Sequence, residues 1–412
     1  MMKYYLMIDA NRFYANAELI YRPDLRGKPI IVLSNGDSSI VALNRQASDL
    51  GFKRMSYYSE IKGLAEAKGV NVFSSNYSLY NSVSKAFMSV ASEFANEQFI
   101  YSIDECWLTI DTLSESEIIE HAKIIRREIW RRTRVPVSIG IAKTMTLSKC
   151  ASRLAKSNSD GVFLLIGPNR SLVDLSANDV WGIGVRRANQ LEHSGVRTAL
   201  ALSKQCPTRI RKEFNIDVEK TVRELNNEPC FSWYESRPDK KQIFSTRTVS
   251  PRLAGLINVK RAACELLNLA SLKARNQQSK IKTITVHIGT SSDTWKPYFK
   301  RNLHHFDYAT SDLIILSKVV NFLVDSMYVP GTEISKVGVG FLALESKRNE
   351  QLDLFGTEDR DTFMGLFDQI NRRFGKNTVF LANTGIDKAK VERQFLSKSP
   401  TTRWRDIVVV KA

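Results

Sequence analysis

The stretch Tyr101-Ser102-Ile103-Asp104-Glu105 places two adjacent carboxylates between two apolar runs, 99–101 and 106–110. On a regular strand, neighbouring side chains point to opposite faces. Both carboxylates can serve one site only at a turn or a strand end, so the pattern predicts a hairpin with Asp104 and Glu105 at its tip. Taken alone, such a pair is more often a solvated turn. A third carboxylate changes that weighing. Asp9 ends the apolar run 4–8, and helical spacing (Phe13, Ala17, Ile20) begins just after it. Asn11 suits the cap of that helix. Asp9 is therefore expected at a strand-to-helix junction, where a carboxylate projects from the end of a sheet. A metal held here would be held by oxygen, which selects Mg²⁺ or Mn²⁺. The five cysteines are odd in number and none lies within three residues of another, and the histidines are scattered apart from His304 and His305. Neither a disulfide framework nor a zinc site is supported.

Two further groups suit anionic ligands. A helix over 144–156 carries Lys149 and Lys156, and a spacing of seven puts both on one face. Two solvated lysines are the plainer reading, and a row of phosphate contacts is the other. Val180-Trp181-Gly182-Ile183-Gly184 precedes a helix over 186–194. A turn with Gly182 and Gly184 opening a helix lets backbone N–H groups approach an anion. Arg186 and Arg187 stand beside it. This suits non-specific phosphate binding in a helix-hairpin-helix. It is not a dinucleotide fingerprint, since a third glycine and a βαβ setting are missing.

The elements that must position these groups follow from periodicity. Strands are expected over 4–8, 28–34, 40–43, 70–73 and 135–141, with helices over 45–50, 61–68, 77–94 and 114–132. Strand, helix, hairpin, helix, strand makes an α+β layer. A chain of 412 residues is expected to form two to four domains. The polar, unperiodic stretch 235–241 reads as a linker. After it the order is strand 242–249, helix 256–278, strand 282–289, strand 298–303, helix 311–328 and strand 336–344, a ferredoxin-like plan. Residues 240–345 hold 15 Lys and Arg against 7 Asp and Glu, within a chain of net charge +17. That excess favours a polyanionic partner with salt-dependent binding. No apolar run approaches bilayer length and the N-terminal one is too short for a signal peptide, so no membrane association and a cytosolic location are expected. Past residue 345 periodicity is lost. Gln351-Leu352-Asp353-Leu354-Phe355 reads either as a peptide that docks in a partner's groove or as a local packing contact. A helix is expected over 362–374 and a strand over 407–410.

With these residues in view, the chain resembles the Y-family translesion DNA polymerases, and within them the UmuC group with its plasmid relatives MucB and RumB. The resemblance runs over essentially the whole chain. It is carried by residues 9–15, 21–29, 73–77, 101–105, 179–184, 221–225, 351–355 and 399–403 in order and spacing. It implies a right hand with a palm (1–10 and 74–165), fingers (11–73), a thumb (166–234), the linker, a little finger (242–345) and a UmuC-type tail (346–412). It implies template-directed, error-prone deoxynucleotide addition to a primer 3′ end in the SOS damage response of a bacterial cytoplasm. Asp9, Asp104 and Glu105 would hold two Mg²⁺ ions, or Mn²⁺. Tyr14 matches a steric gate against the ribose 2′-OH, with Phe13 near the sugar. Lys156 matches a triphosphate lysine. Lys149, Gly182, Gly184, Arg186 and Arg187 are assigned to primer-template DNA. Gln351, Leu352, Leu354 and Phe355 are assigned to the β sliding clamp. A processed UmuD-type dimer and RecA are further implied partners.

Three departures stand out. Where relatives carry Ala-Arg-Asn with a triphosphate-contacting Arg, this chain reads Ala42-Leu43-Asn44, and Leu43 has no donor. Arg45 lies two positions on and is the candidate substitute. The family's Asp-Gly-Cys reads Asp37-Ser38-Ser39, and the positions after Glu105 are Cys106 and Trp107. Leu43 keeps a second reading open: a catalytically weak DNA- and clamp-binding accessory protein on a polymerase fold. A nucleotide cyclase on a similar palm is disfavoured by the basic domain and the docking peptide.

Overall fold

The structure, a computed structural model, describes residues 2–112, 114–233, 239–290, 297–347, 360–375, 377–385 and 393–407. It divides into two units: Met1–Ser236 with Arg393–Ala412, and Arg237–Glu392. The expected linker meets that division, with 234–238 outside the described residues.

The first unit is built on β1 (Met2–Ala10), β5 (Glu97–Ile100), β6 (Glu105–Thr112), β7 (Val137–Ala142) and β8 (Val162–Leu164), in the order β5-β6-β1-β7-β8. Between β1 and β5 the chain forms α1 (Phe13–Tyr21), β2 (Ile30–Leu33), β3 (Ile40–Leu43), α2 (Arg45–Asp49), α3 (Tyr58–Ala67), β4 (Asn71–Ser74) and α4 (Tyr77–Ser92). Strands β3-β2-β4 make a second, three-stranded sheet. Helix α5 (Glu115–Thr133) precedes β7, and α6 (Met145–Ala155) precedes β8.

Leu6, Met7 and Ile8 of β1 are all fully buried, so the sheet is covered on both faces. Helices α4 and α5 supply one cover. Ile118, Ala122, Ile125 and Ile129 recur every three or four residues on α5, and Ser114 caps its start by accepting from Glu117 N–H. Acidic Glu115 and Glu117 in its first turn and Arg131 and Arg132 in its last complement the helix dipole.

The other face carries Met7 and Trp107, which cluster with Met145 at the start of α6, the helix that crosses it. The crossing is close: a Cβ on Gly140 would lie 2.0 Å from the Ser152 backbone nitrogen. The start of α6 is held by the fully buried Glu224. Its carboxylate accepts from Thr146 N–H at 2.8 Å and Thr146 Oγ1 at 2.6 Å, and from the Cys230 and Phe231 amides. Glu224 belongs to α10 (Ile216–Leu225), which closes a small helical group with α7 (Val185–His193), α8 (Ala199–Ser203) and α9 (Pro207–Glu213).

The second unit follows the expected β-α-β-β-α-β order: β9 (Ile243–Leu253), α11 (Leu256–Asn276), β10 (Ser279–Gly289), β11 (Phe299–Thr310), α12 (Leu313–Met327) and β12 (Ile334–Ser346). The sheet is antiparallel, ordered β11-β10-β12-β9, and packs its apolar face on α11 and α12. Helix α13 (Asp361–Phe374) adds Met364 and Phe367 to that core and pairs Asp368 with Arg275 at 2.7 Å.

The tail differs from its expected form. It is divided: α13 joins the second unit, while 393–407 joins the first. Trp404–Asp406 is a short 3-10 turn just before the expected strand 407–410, of which Ile407 is in a bend and 408–410 lie outside the described residues.

Candidate active site

The register of the central sheet creates the site. β1 and β6 run antiparallel with Asp9 directly opposite Glu105, and the Ala10 amide donates to the Asp104 carbonyl at 2.8 Å. β5 and β6 form the expected hairpin, with Asp104 in its connecting loop and Glu105 as the first residue of β6. All three carboxylates thus stand at one end of the sheet. Ser102 fixes Asp104 by donating from Oγ to Oδ1 at 2.6 Å.

Helix α6 lays both lysines across this end. Lys156 Nζ donates to Asp9 Oδ2 at 2.8 Å, and Lys149 Nζ to Glu105 Oε2 at 3.0 Å. Burial raises both carboxyls above their ordinary values. The paired lysine opposes the shift in each case, and the neighbouring carboxylates add to it. Lys149, expected among the DNA contacts, is turned inward instead. Its side chain is 20% exposed, with its ammonium 4.4 Å from the Tyr101 ring centroid and 5.6 Å from that of Trp107. Lys156 is more open at 43%.

The donor set is carboxylate oxygen throughout, which suits a hard dication in kind. Among the described residues no group of three or more His, Cys, Asp or Glu closes into a metal cage. The two lysines each engage one oxygen of the carboxylates that would take part.

Tyr14 stands beside these groups on α1. Its ring stacks on Tyr80 with centroids 4.5 Å and planes 15° apart, and meets Tyr77 edge-on at 6.1 Å. Burial raises its phenol, followed by Tyr77 and then by the negative charge of Asp104, while Arg54 opposes the shift. Its hydroxyl is thus within electrostatic reach of the carboxylate site. Phe13 faces the other way, buried in the core against Tyr80 and Phe87. Asn11 is not the cap of α1. Arg12 takes that position in a left-handed conformation, and Asn11 accepts from Ser138 Oγ instead.

Below Tyr80 lies Glu18, which is 1% exposed and accepts from the Tyr80 hydroxyl at 2.7 Å. Burial pushes its carboxyl up to about 7 from an ordinary 4.5. A carboxyl raised by folding binds its proton more tightly in the folded state. Stability from this group is therefore greatest below about pH 4.5 and declines as pH rises towards 7, by on the order of 3 kcal/mol at most. Glu18→Gln should flatten that decline in urea titrations between pH 5 and 7.5. An unchanged slope would contradict this account of Glu18.

The remaining candidates are placed as follows. Leu43 is 6% exposed in the core beneath the three-stranded sheet, and its carbonyl accepts from Arg12 Nη1 at 3.1 Å. Arg45 opens α2 with its side chain 84% exposed and only a 3.8 Å contact to Asp49. Gly182 adopts a positive φ of 88°, and Gly184 is the N-cap of α7. Arg186 is exposed, whereas Arg187 donates to the Gly182 carbonyl. Gln351, Leu352, Leu354 and Phe355 lie outside the described residues.

Ser102, Trp181, Tyr77, Tyr80 and Glu18 join the site without having been singled out. Trp181 Nε1 donates to the Tyr101 hydroxyl at 3.1 Å. Only Ser102, two residues from Asp104, carried a local signal; the others are distant in sequence from what they touch.

Comparison with known proteins agrees with this architecture. A solved Y-family DNA polymerase chimera of Dbh and Dpo4 superposes with a TM-score of 0.64 over 82% of this chain and 98% of its own, at 20% identity. The fold is that of the Y-family DNA polymerases. Models of the impB/mucB/samB family match residues 8–153, and those of its C-terminal domain match 240–354. Residues 361–410 match a domain of unknown function, DUF4113. The protein MucB of Salmonella typhimurium is 34% identical over 98% of this chain and 99% of its own length. The protein UmuC of the same species is 32% identical over 99% of this chain and all of its own. DNA polymerase IV of Oceanobacillus iheyensis is 23% identical over 90% of each. The chain belongs to the impB/mucB/samB family.

Proposed function

We propose that this chain adds deoxynucleotides to a primer 3′ end by a two-metal mechanism, opposite damaged templates and with low fidelity, in the SOS response. The observation that carries the reading is the pairing of Asp9 with Glu105 at the sheet end that also bears Asp104. These three residues would hold two Mg²⁺ ions, or Mn²⁺. Such ions supply Lewis-acid activation of the primer oxygen and charge neutralisation at the leaving pyrophosphate.

The protein's own groups do the rest. Lys156, within 2.8 Å of Asp9 and half open to solvent, is the phosphate-binding cation of the palm. Lys149, boxed by Tyr101 and Trp107, holds Glu105 in place. Tyr14 lies under the sugar, and buried Phe13 backs it. Arg45 is the fingers cation, since a 3.8 Å contact between exposed groups costs little to leave. Gly182, Gly184 and Arg186 hold the DNA backbone, and the basic second unit adds phosphate contacts. In the described residues no helix is long and apolar enough to cross a membrane.

Primer extension past a damaged template base tests the translesion part. Extension past at least one of an abasic site and a thymine dimer, where a replicative polymerase stops, is expected. Arrest at every lesion, with normal extension of undamaged template, would contradict it.

Leu43 favours the second reading, an accessory protein that binds DNA and the clamp without efficient synthesis. Its burial removes the side chain from any phosphate, whatever the surroundings.

The partner assignments rest on sequence. Residues 351–355 would dock on the β sliding clamp, and a processed UmuD-type dimer and RecA are the other partners of this reading. Replacing Leu354 and Phe355 with Ala should lower clamp affinity at least about tenfold, since apolar anchors dominate such docking. Distributive synthesis should be unchanged. Surface plasmon resonance on immobilised clamp reads the first, and an affinity equal to the parent's would make the peptide a packing element.

A further inference from the structure

Residues 393–407 fold against the first unit and touch both of its sheets' surroundings. Ser74, at the end of β4, donates its amide to the Phe395 carbonyl at 3.0 Å, and its Oγ accepts from the Phe395 amide at 3.0 Å. Ser74 and Leu396 form a parallel bridge, so the tail extends the edge of the three-stranded sheet. The Phe395 ring packs on that sheet's core and meets Tyr58 edge-on at 5.6 Å. Asp37 accepts from the Gln394 amide at 2.8 Å.

At the start of α4, Asn76 caps the helix and reaches the tail as well. Its Nδ2 donates to Ser397 Oγ at 3.0 Å and to Ser399 Oγ at 2.9 Å. Ser399 is 1% exposed, and its amide donates to Asp406. This is a built seat, with buried polar partners on both sides.

The seat continues inward to the catalytic end. Ser397 stands beside Glu18 and counters the burial-driven rise of its carboxyl. Glu18 accepts from the Tyr80 hydroxyl, and the Tyr80 ring is the one stacked under Tyr14. The tail is hydrogen-bonded to Asn76 at the start of α4, and α4 carries the Tyr80 ring on which Tyr14 stacks. We propose that the C-terminal strap 393–407 is a positioning element for Tyr14, acting through Ser397, Asn76 and the Tyr80 of α4. This gives part of the domain of unknown function a task within its own chain. A ring stacked on a side chain that is itself buried and hydrogen-bonded is fixed more firmly than by α1 alone. The consequence for sugar selection rests on the role proposed for Tyr14.

The test uses the full chain with 3-fluorotyrosine at position 14. In the parent, ¹⁹F NMR should give one sharp resonance. Phe395→Ala removes the anchor and Ser397→Ala the hydroxyl that accepts from Asn76, and both should shift or broaden that resonance. Ser397→Thr keeps the hydroxyl and should restore it. In the unlabelled variants, preference for deoxynucleotides over ribonucleotides in kcat/KM should fall about tenfold, the scale of a small misplacement. A resonance unmoved by both alanine variants overturns the inference, whatever selectivity does. A moved resonance with unchanged selectivity upholds the strap and instead removes the sugar role of Tyr14, which Tyr14→Ala then checks independently.

Discussion

Asp104→Ala should lower single-turnover nucleotide addition by about 10³-fold or more, equivalent to about 4 kcal/mol of transition-state stabilisation. Its affinity for primer-template should stay near the parent's. The contrast follows from where Asp104 sits. Its carboxylate accepts from Ser102 Oγ in the loop before β6, while only its backbone carbonyl takes part in the sheet, accepting from Ala10. Truncating the side chain therefore removes charge from the end of the sheet without opening the core. Asp104→Asn keeps the shape and loses the charge, and should be nearly as inactive. If either variant retains most of the parent's rate, Asp104 is a solvated turn residue after all. Rapid-quench incorporation with saturating nucleotide reads the rate, and fluorescence anisotropy of labelled duplex reads the affinity.

Tyr14→Ala should have the second largest effect, on choice rather than rate. Discrimination against ribonucleotides should fall by about 10²-fold, or about 2.7 kcal/mol. The ring acts by volume, held flat by its stack on Tyr80 and bounded by Tyr77. Tyr14→Phe should accordingly keep most of the discrimination, since it keeps the ring. Parallel kcat/KM measurements with matched deoxy- and ribonucleotides check both. Equal discrimination in parent and alanine variant would place the sugar sensor elsewhere.

Much of this was legible in the sequence because it depends on short-range pattern. The apolar run ending at Asp9 and the break in the 99–110 run at Asp104-Glu105 place carboxylates at strand ends before any pairing is known. The helical spacing of α4 and α5, and the strand-helix order of the second unit, could likewise be read directly. Register could not. That Asp9 faces Glu105 depends on antiparallel pairing of β1 with β6. Lys149 shows the limit of reading by residue type. Its spacing from Lys156 gave the right face of α6, but its partners Tyr101 and Trp107 come from the hairpin. The strap was illegible for a related reason. A tail without periodicity gives no sign that Ser397 will meet Asn76 across 321 positions. Leu43 has no donor for a phosphate, which is plain from residue type, and its burial gives the reason for an apolar residue there.

The central claim is that the carboxylate end of this sheet is a working polymerase site despite Leu43. Primer extension by the full-length protein on an undamaged template, with Mg²⁺ and the four deoxynucleotides, tests it most directly. The assay is run alone and again with the clamp, the processed UmuD-type dimer and RecA. Template-directed addition that needs the dication, and that Asp104→Ala abolishes, is the predicted result. No addition under any of these conditions, from protein that still binds duplex, would contradict it and leave the accessory reading in its place.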